Sequence, residues 1–137
     1  MSELFEFGKR ILASQPFSVL LNTELDRFEP GMAHLSIIVR DEFKQQHGFV
    51  HGGVISYLAD NALTYAGGSI LGDSVTSEYK INYLRPAIGQ RLVAKATVLS
   101  SGRTQAVCQC KVIAMNENDE QTVAVAQGTI IKVEPRN

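Results

Sequence analysis

From Gly52 to Gly72 the chain carries one charged residue, Asp60. Within that stretch Val54, Ile55, Leu58, Ala59, Ala62, Leu63 and Ala66 fall at helical spacing, yet they cover most of the circumference instead of one stripe. A helix without a polar face has to be enclosed. The stretch is long enough to raise the question of a bilayer span. Asp60, Asn61 and five glycines (Gly52, Gly53, Gly67, Gly68, Gly72) argue against one, because a carboxylate at mid-membrane is costly. The remaining solution is enclosure by the rest of the chain.

The flanks supply the wrapping. Ser2–Gln15 places Leu4, Phe5, Ile11 and Leu12 at helix-like spacing, interrupted by Gly8, and Pro16 is expected to stop that helix. Ser18–Leu25 and Met32–Val39 read as two strands around the turn Glu29-Pro30-Gly31. After the apolar helix the period changes. Ser74–Leu84, Arg91–Leu99, Thr104–Met115 and Gln121–Val133 are rich in β-branched residues, with turn signals at 85–89, 101–103 and 116–119. Short links between successive strands favour antiparallel pairing. The expected class is α+β: a strongly curved antiparallel sheet wrapped around a central apolar helix. At 137 residues one domain, 1–137, is expected, with its N-terminal helix at about 2–15.

Charge excludes several functions. A formal net charge of −1 gives no overall field toward nucleic acid or anionic lipid, so neither is expected as a partner. Glu3 and Glu6 do not suit a signal-peptide n-region and no long apolar run follows, so a cytoplasmic protein is expected. Cys108 and Cys110 are too few for a disulfide framework and would share one strand face as small core residues. Three scattered histidines and two cysteines give no metal-ligand spacing, so no metal or other cofactor is expected.

The chemistry-bearing segment is Gln45-Gln46-His47-Gly48-Phe49-Val50-His51-Gly52-Gly53, which runs straight into the apolar helix. Glycines at a helix start let a ligand approach the first free backbone N–H groups, toward which the helix dipole also points. That is a site for a carbonyl oxygen becoming an oxyanion. Asp60 lies eight residues beyond Gly52, about 12 Å along the axis. If both act on one substrate, they come from two subunits. Plainer readings stand beside this one: Gly52-Gly53 as a tight loop, His51 as a hydrogen-bonded structural residue, and Asp60 at a solvated edge.

Gln45, Gly48, His51, Gly52, Gly53 and the helical Asp60 together resemble the motif of hotdog-fold acyl-CoA thioesterases, specifically the phenylacetic-acid-pathway type. The similarity extends from about Phe43 to Val133 and includes Tyr83-Leu84-Arg85-Pro86-Ala87 and Ser101-Gly102-Arg103-Thr104. The resemblance implies a hotdog fold and roles for matching residues. The Gly52 N–H would polarise the thioester carbonyl, and Asp60 of the facing subunit would activate water or attack directly. Gln45, where many relatives carry Asn, would position the water or the carboxylate. His51 would orient the loop or touch the thioester, and Thr76 would orient the water. Gly53, Arg103 and Thr104 would contact the substrate, with Arg103 on a CoA phosphate and Arg85 a second candidate.

The expected function is hydrolysis of acyl-CoA to a carboxylic acid and CoA by a homo-oligomer, at least a dimer and expected as a tetramer. Two rivals remain at this level. One is a non-catalytic acyl-CoA-binding module, which has no need of a buried carboxylate. The other is a hotdog-fold hydratase or dehydratase, for which His51-Gly52-Gly53 is a poorer fit. Tyr57, Leu58, Tyr65 and Phe49 are candidate lining residues for an aromatic or medium-chain acyl group.

Overall fold

Residues 2–134 are described by the structure, a computed structural model. Ser2 caps the first helix, α1 (Glu3–Ala13), by accepting the Phe5 N–H at 3.1 Å. Ser14 closes it, and Pro16 then opens a second short helix, α2 (Pro16–Leu20). Proline is well suited to the first position of a helix, where its missing N–H has no partner to lose. The expected strand at Ser18–Leu25 is therefore not formed. Ser18 is instead held inside α2 by Gln15 and Tyr57, and Asn22 turns the chain at φ 55°.

Strand β1 (Glu24–Glu29) and β2 (Met32–Ile38) form a hairpin around Gly31, whose φ of +83° suits glycine. The long helix α3 (Gly52–Leu71) follows, then β3 (Ser74–Tyr83), β4 (Arg91–Ser101), β5 (Gln105–Met115) and β6 (Glu120–Lys132). Among the described residues, six strands form one antiparallel sheet in the order β1-β2-β4-β5-β6-β3. The short β3–β4 link does not make those strands neighbours, contrary to the sequence expectation. The chain leaves α3 at the far edge of the sheet, so β3 pairs with β6, while β4 takes the place beside β2. Bulges at Leu25/Arg27, Thr76/Glu78, Val98/Ser100 and Val112/Ile113 add local bend.

The sheet curves around α3 and answers the problem of its missing polar face. Leu58, Ala59, Ala62, Leu63 and Ala66 are fully enclosed against Leu35, Leu92, Val112 and Ile130. Burying one such leucine contributes about 1.5–3 kcal/mol. Alanines and Gly67 let α3 sit close to the strands: a Cβ at Gly67 would stand 2.7 Å from Ile130. Gly8, the break in the α1 pattern, has a similar cause, since a Cβ there would reach Phe28 at 2.6 Å. Cys108 and Cys110 are unbonded core residues, and burial pushes their thiols up to about 11 and about 12. Among the described residues, no helix is long and apolar enough to cross a membrane. None of their His, Cys, Asp and Glu side chains gather as a metal-binding group.

Candidate active site

Asp60 is half-buried on the one side of α3 that meets β3. The Thr76 hydroxyl donates to its Oδ1 at 2.6 Å. Thr64, one turn further along α3, stands 2.7 Å from the Thr76 hydroxyl and 2.9 Å from the Asp60 carbonyl oxygen. Residues four apart share a helix face, which is how Thr64 comes to lie beside Asp60. Each threonine has a single hydroxyl proton. With Asp60 ionised, Thr76 donates to Asp60, and the single Thr64 proton goes either to Thr76 or to the Asp60 carbonyl oxygen. With Asp60 protonated on Oδ1, Asp60 donates to Thr76 and Thr76 to Thr64, and Thr64 ends on the Asp60 carbonyl. The carboxyl group thus keeps a partner in both protonation states. Among the described residues, Asp60 Oδ2 has no hydrogen-bond partner.

The other half of the motif forms the start of α3. Loop 43–51 is held by the Val50 N–H on Ala87 O at 3.0 Å and the His51 N–H on Phe43 O at 2.8 Å. Gln45 anchors the turn at Gly48 (φ +86°): its backbone oxygen accepts the Gly48 N–H, and its side-chain oxygen accepts the His47 N–H. His51 is the N-cap of α3, its Nδ1 accepting the Gly53 N–H at 2.8 Å. That bond occupies Gly53. The Gly52 N–H is left without an acceptor among the described residues, at the positive end of a 20-residue helix. The Tyr83 ring packs over Gly52, and its hydroxyl donates to the Gly52 carbonyl at 3.1 Å.

The structure therefore brings Asp60 and Thr76 together and leaves Gly52 two helical turns away in the same chain. Arg103 and Thr104 are exposed in the β4–β5 turn, at the end of the sheet where β3 begins near Thr76. Arg85 is exposed just past the other end of β3, two residues beyond Tyr83, whose hydroxyl reaches the Gly52 carbonyl. Within one chain the two arginines cannot serve one phosphate. Of the proposed lining residues, Leu58 is sealed in the core, and Tyr57 is tied to Ser18 and Thr23. Tyr65 borders a cavity of about 400 Å³ between α1 and α3. A second cavity, about 560 Å³, lies on the face of the sheet turned away from α3, among His34, Lys80, Lys95 and Lys111. Thr64 and Tyr83 were not singled out from sequence. The four-residue spacing from Asp60 was the available signal for Thr64, whereas the contact of Tyr83 with Gly52 spans 31 residues.

A long central helix enclosed by a six-stranded, curved antiparallel sheet is the hotdog architecture of thioesterases. The comparisons agree. Residues 47–121 match the model of the Thioesterase superfamily. The acyl-coenzyme A thioesterase PaaI of Escherichia coli is 29% identical over 79% of this chain and 76% of its own length. The medium/long-chain acyl-CoA thioesterase YigI of Escherichia coli is 28% identical over 83% of each. The crystal structure of a thioesterase family protein from Silicibacter pomeroyi superposes with a TM-score of 0.86 at 32% identity, covering 89% of this chain and 92% of that one. The chain belongs to the thioesterase superfamily, and its activity class is thioester hydrolysis.

Proposed function

We propose that this protein hydrolyses acyl-CoA thioesters, with Asp60 as the reacting carboxylate and the Gly52 N–H as the oxyanion donor. The observation that carries the reading is the Thr64–Thr76–Asp60 chain, which sets the one charged residue of the central helix against a hydroxyl of the neighbouring strand. A carboxylate is placed in such surroundings at a cost unless it is bonded or used, and this one is bonded at one oxygen only. The names of PaaI and YigI supply the acyl-CoA substrate.

In the general-base form, Asp60 takes a proton from water as the water oxygen attacks the thioester carbon. The tetrahedral oxyanion is held by the Gly52 N–H, and collapse releases the CoA thiolate, which recovers the proton from Asp60. In the nucleophilic form, Asp60 displaces CoA to give an anhydride, which water then opens. Both forms use the same two groups. His51 holds the loop by capping α3, Gln45 shapes the turn before it, and Thr76 with Thr64 steers Asp60. Arg103, Thr104 and Arg85 are the proposed contacts for the CoA portion.

Two copies complete one site. β3 is a ten-residue edge strand, whereas the other edge, β1, has only six residues. Paired residues in an antiparallel ladder share a face, so a two-fold pairing centred on Tyr79 sets Glu78 against Lys80 of the second copy. A centre at Lys80 would oppose like charges. Antiparallel pairing along β3 brings the Thr76 end of one chain to the Tyr83 end of the other. Asp60 then approaches the second copy's Gly52, as the axial distance requires, and Arg103 approaches the second copy's Arg85. A dimer is the functional minimum and a tetramer is proposed as the full assembly, as one domain per chain in the cytoplasm. Release of free thiol from a panel of acyl-CoAs tests the activity; no release from any of them would refute it.

A further inference from the structure

We propose that the groove between α1 and α3 is the acyl pocket of this site, that it takes a linear chain of medium length, and that Gly68 sets how long that chain can be. This rests on the thioesterase reading above and adds the acyl group and the residue that selects it.

The groove reaches the neighbourhood of the reacting carboxylate through Thr64. Asn61 and Thr64 line its head, and Thr64 is within 2.7 Å of the hydroxyl that donates to Asp60. Its course runs between two antiparallel helices, of which α1 rests chiefly on β1. Asn61 bonds Gln15 at 3.2 Å at one end, Tyr65 donates to the Gly8 carbonyl at 2.8 Å midway, and Leu4 faces Gly68 and Gly72 at the other end. Tyr65 and Phe28, packed edge-on, line its middle, and Phe7 and Ile11 stand half-exposed along its α1 side. Asn61 to Gly72 spans about 16 Å of helix axis. A cavity of about 400 Å³ drawn out over that length is long and narrow, which suits an extended chain better than a ring. It is polar at the head, apolar along its middle and polar again at the tail, where Asp73 and Ser74 lie. Asp73 at the tail would repel an acyl group ending in a second carboxylate.

Gly68 is the second, independent observation. Glycine inside a helix weakens it relative to alanine, so its presence needs a reason. Gly67 has one, the close approach to Ile130. Gly68 has neither close packing nor a left-handed backbone: a Cβ there would meet nothing within 4 Å. It borders the groove, and what its missing side chain provides is room inside it.

The test compares wild type with Gly68→Leu on butyryl-, octanoyl-, decanoyl- and phenylacetyl-CoA. In the wild type kcat/KM should rise by up to about fourfold per added methylene until the groove is full. Gly68→Leu should lower kcat/KM on decanoyl-CoA at least about tenfold more than on butyryl-CoA, since its side chain displaces two or more methylenes. An unchanged chain-length profile in a variant with wild-type melting would overturn the proposal. So would a wild-type preference for phenylacetyl- over decanoyl-CoA. A changed mass in light scattering with the profile intact would make the groove a contact between copies, and would also overturn it. If Gly68→Leu melts early, Gly68→Val takes its place in the same series. Calorimetric binding of decanoyl-CoA to Asp60→Asn, with and without Gly68→Leu, separates the two readings. Binding that depends on position 68, together with a wild type that releases no thiol from any acyl-CoA, would retain the groove and reject the hydrolysis. Binding indifferent to position 68 would reject the groove.

Discussion

The Thr76 hydroxyl donates to Asp60 Oδ1 across 2.6 Å, joining the third turn of the central helix to the strand that follows it. The bond fixes one carboxylate oxygen toward β3 and leaves the other for substrate or water. A hydrogen bond to a charged group is worth about 1.5–3 kcal/mol. Thr76→Val should therefore lower kcat by about tenfold to a hundredfold with little change in KM. Thr64→Val should act in the same direction more weakly. Steady-state kinetics on one acyl-CoA decides it: a change confined to KM would mean the threonines hold substrate, not the carboxylate.

Asp60→Asn preserves shape and removes both basicity and nucleophilicity. Turnover should fall by at least about 10²-fold, the lower end of what a positioned general base contributes. Melting should stay close to wild type, because the amide can still accept from Thr76. Wild-type hydrolysis by this variant would remove Asp60 from the reaction.

Arg103 is exposed and free of ion pairs among the described residues, so its loss should not unsettle the fold. Arg103→Ala should raise KM for CoA thioesters more than for pantetheine thioesters, which lack the nucleotide phosphates. The difference should shrink at high salt, as screening of an exposed contact requires. Equal KM changes for both substrates would rule out a phosphate contact.

His34 gives a pH dependence. Its pKa is held below the ordinary 6.5 by burial first, then by Lys95 and Arg27, against the opposing pull of Asp26 and Glu29. The folded state thus resists a proton that the unfolded chain accepts near 6.5. Stability should fall as pH drops through that value and level off below the folded pKa. His34→Gln should flatten the melting-temperature profile between about pH 7.5 and 5. An unchanged slope would assign the dependence to other groups.

What was legible in the sequence was what local pattern encodes. The continuous apolarity of 52–72 implied an enclosed helix, and the β-branched runs after residue 73 implied strands within a residue or two of their observed ends. Asp60 was visible as the lone charge on that helix and Thr76 only through the family resemblance; their contact is the part of the proposed site that one chain completes. Partner choice between strands was not legible: β3 bypasses β4 for β6 because of how the sheet closes around α3, which no local residue reports. Ser18–Leu25 misled because its Val and Leu residues suit a strand, while Pro16 and the Ser18–Tyr57 bond, made across 39 residues, decided otherwise. Gly8, Gly67 and Gly68 read alike in sequence. Only packing separates a glycine pressed against Phe28 or Ile130 from one facing open space.

The central claim is that Asp60 of one copy and the Gly52 N–H of another serve one substrate, and subunit exchange tests it most directly. Gly52→Pro deletes that N–H at the first helical position, where proline is tolerated, and His51 before it is already extended at ψ 135°. Alone, the variant should lose about 10²–10³-fold in kcat, the range for removing an oxyanion donor. Asp60→Asn and Gly52→Pro homo-oligomers should both be inactive. Mixed after exchange, each Asp60→Asn/Gly52→Pro pair carries one intact site, so activity should recover toward half that of a wild-type dimer. Recovery at that level is the predicted result. No recovery after exchange has been demonstrated, or a fully active monomer, would contradict the shared site.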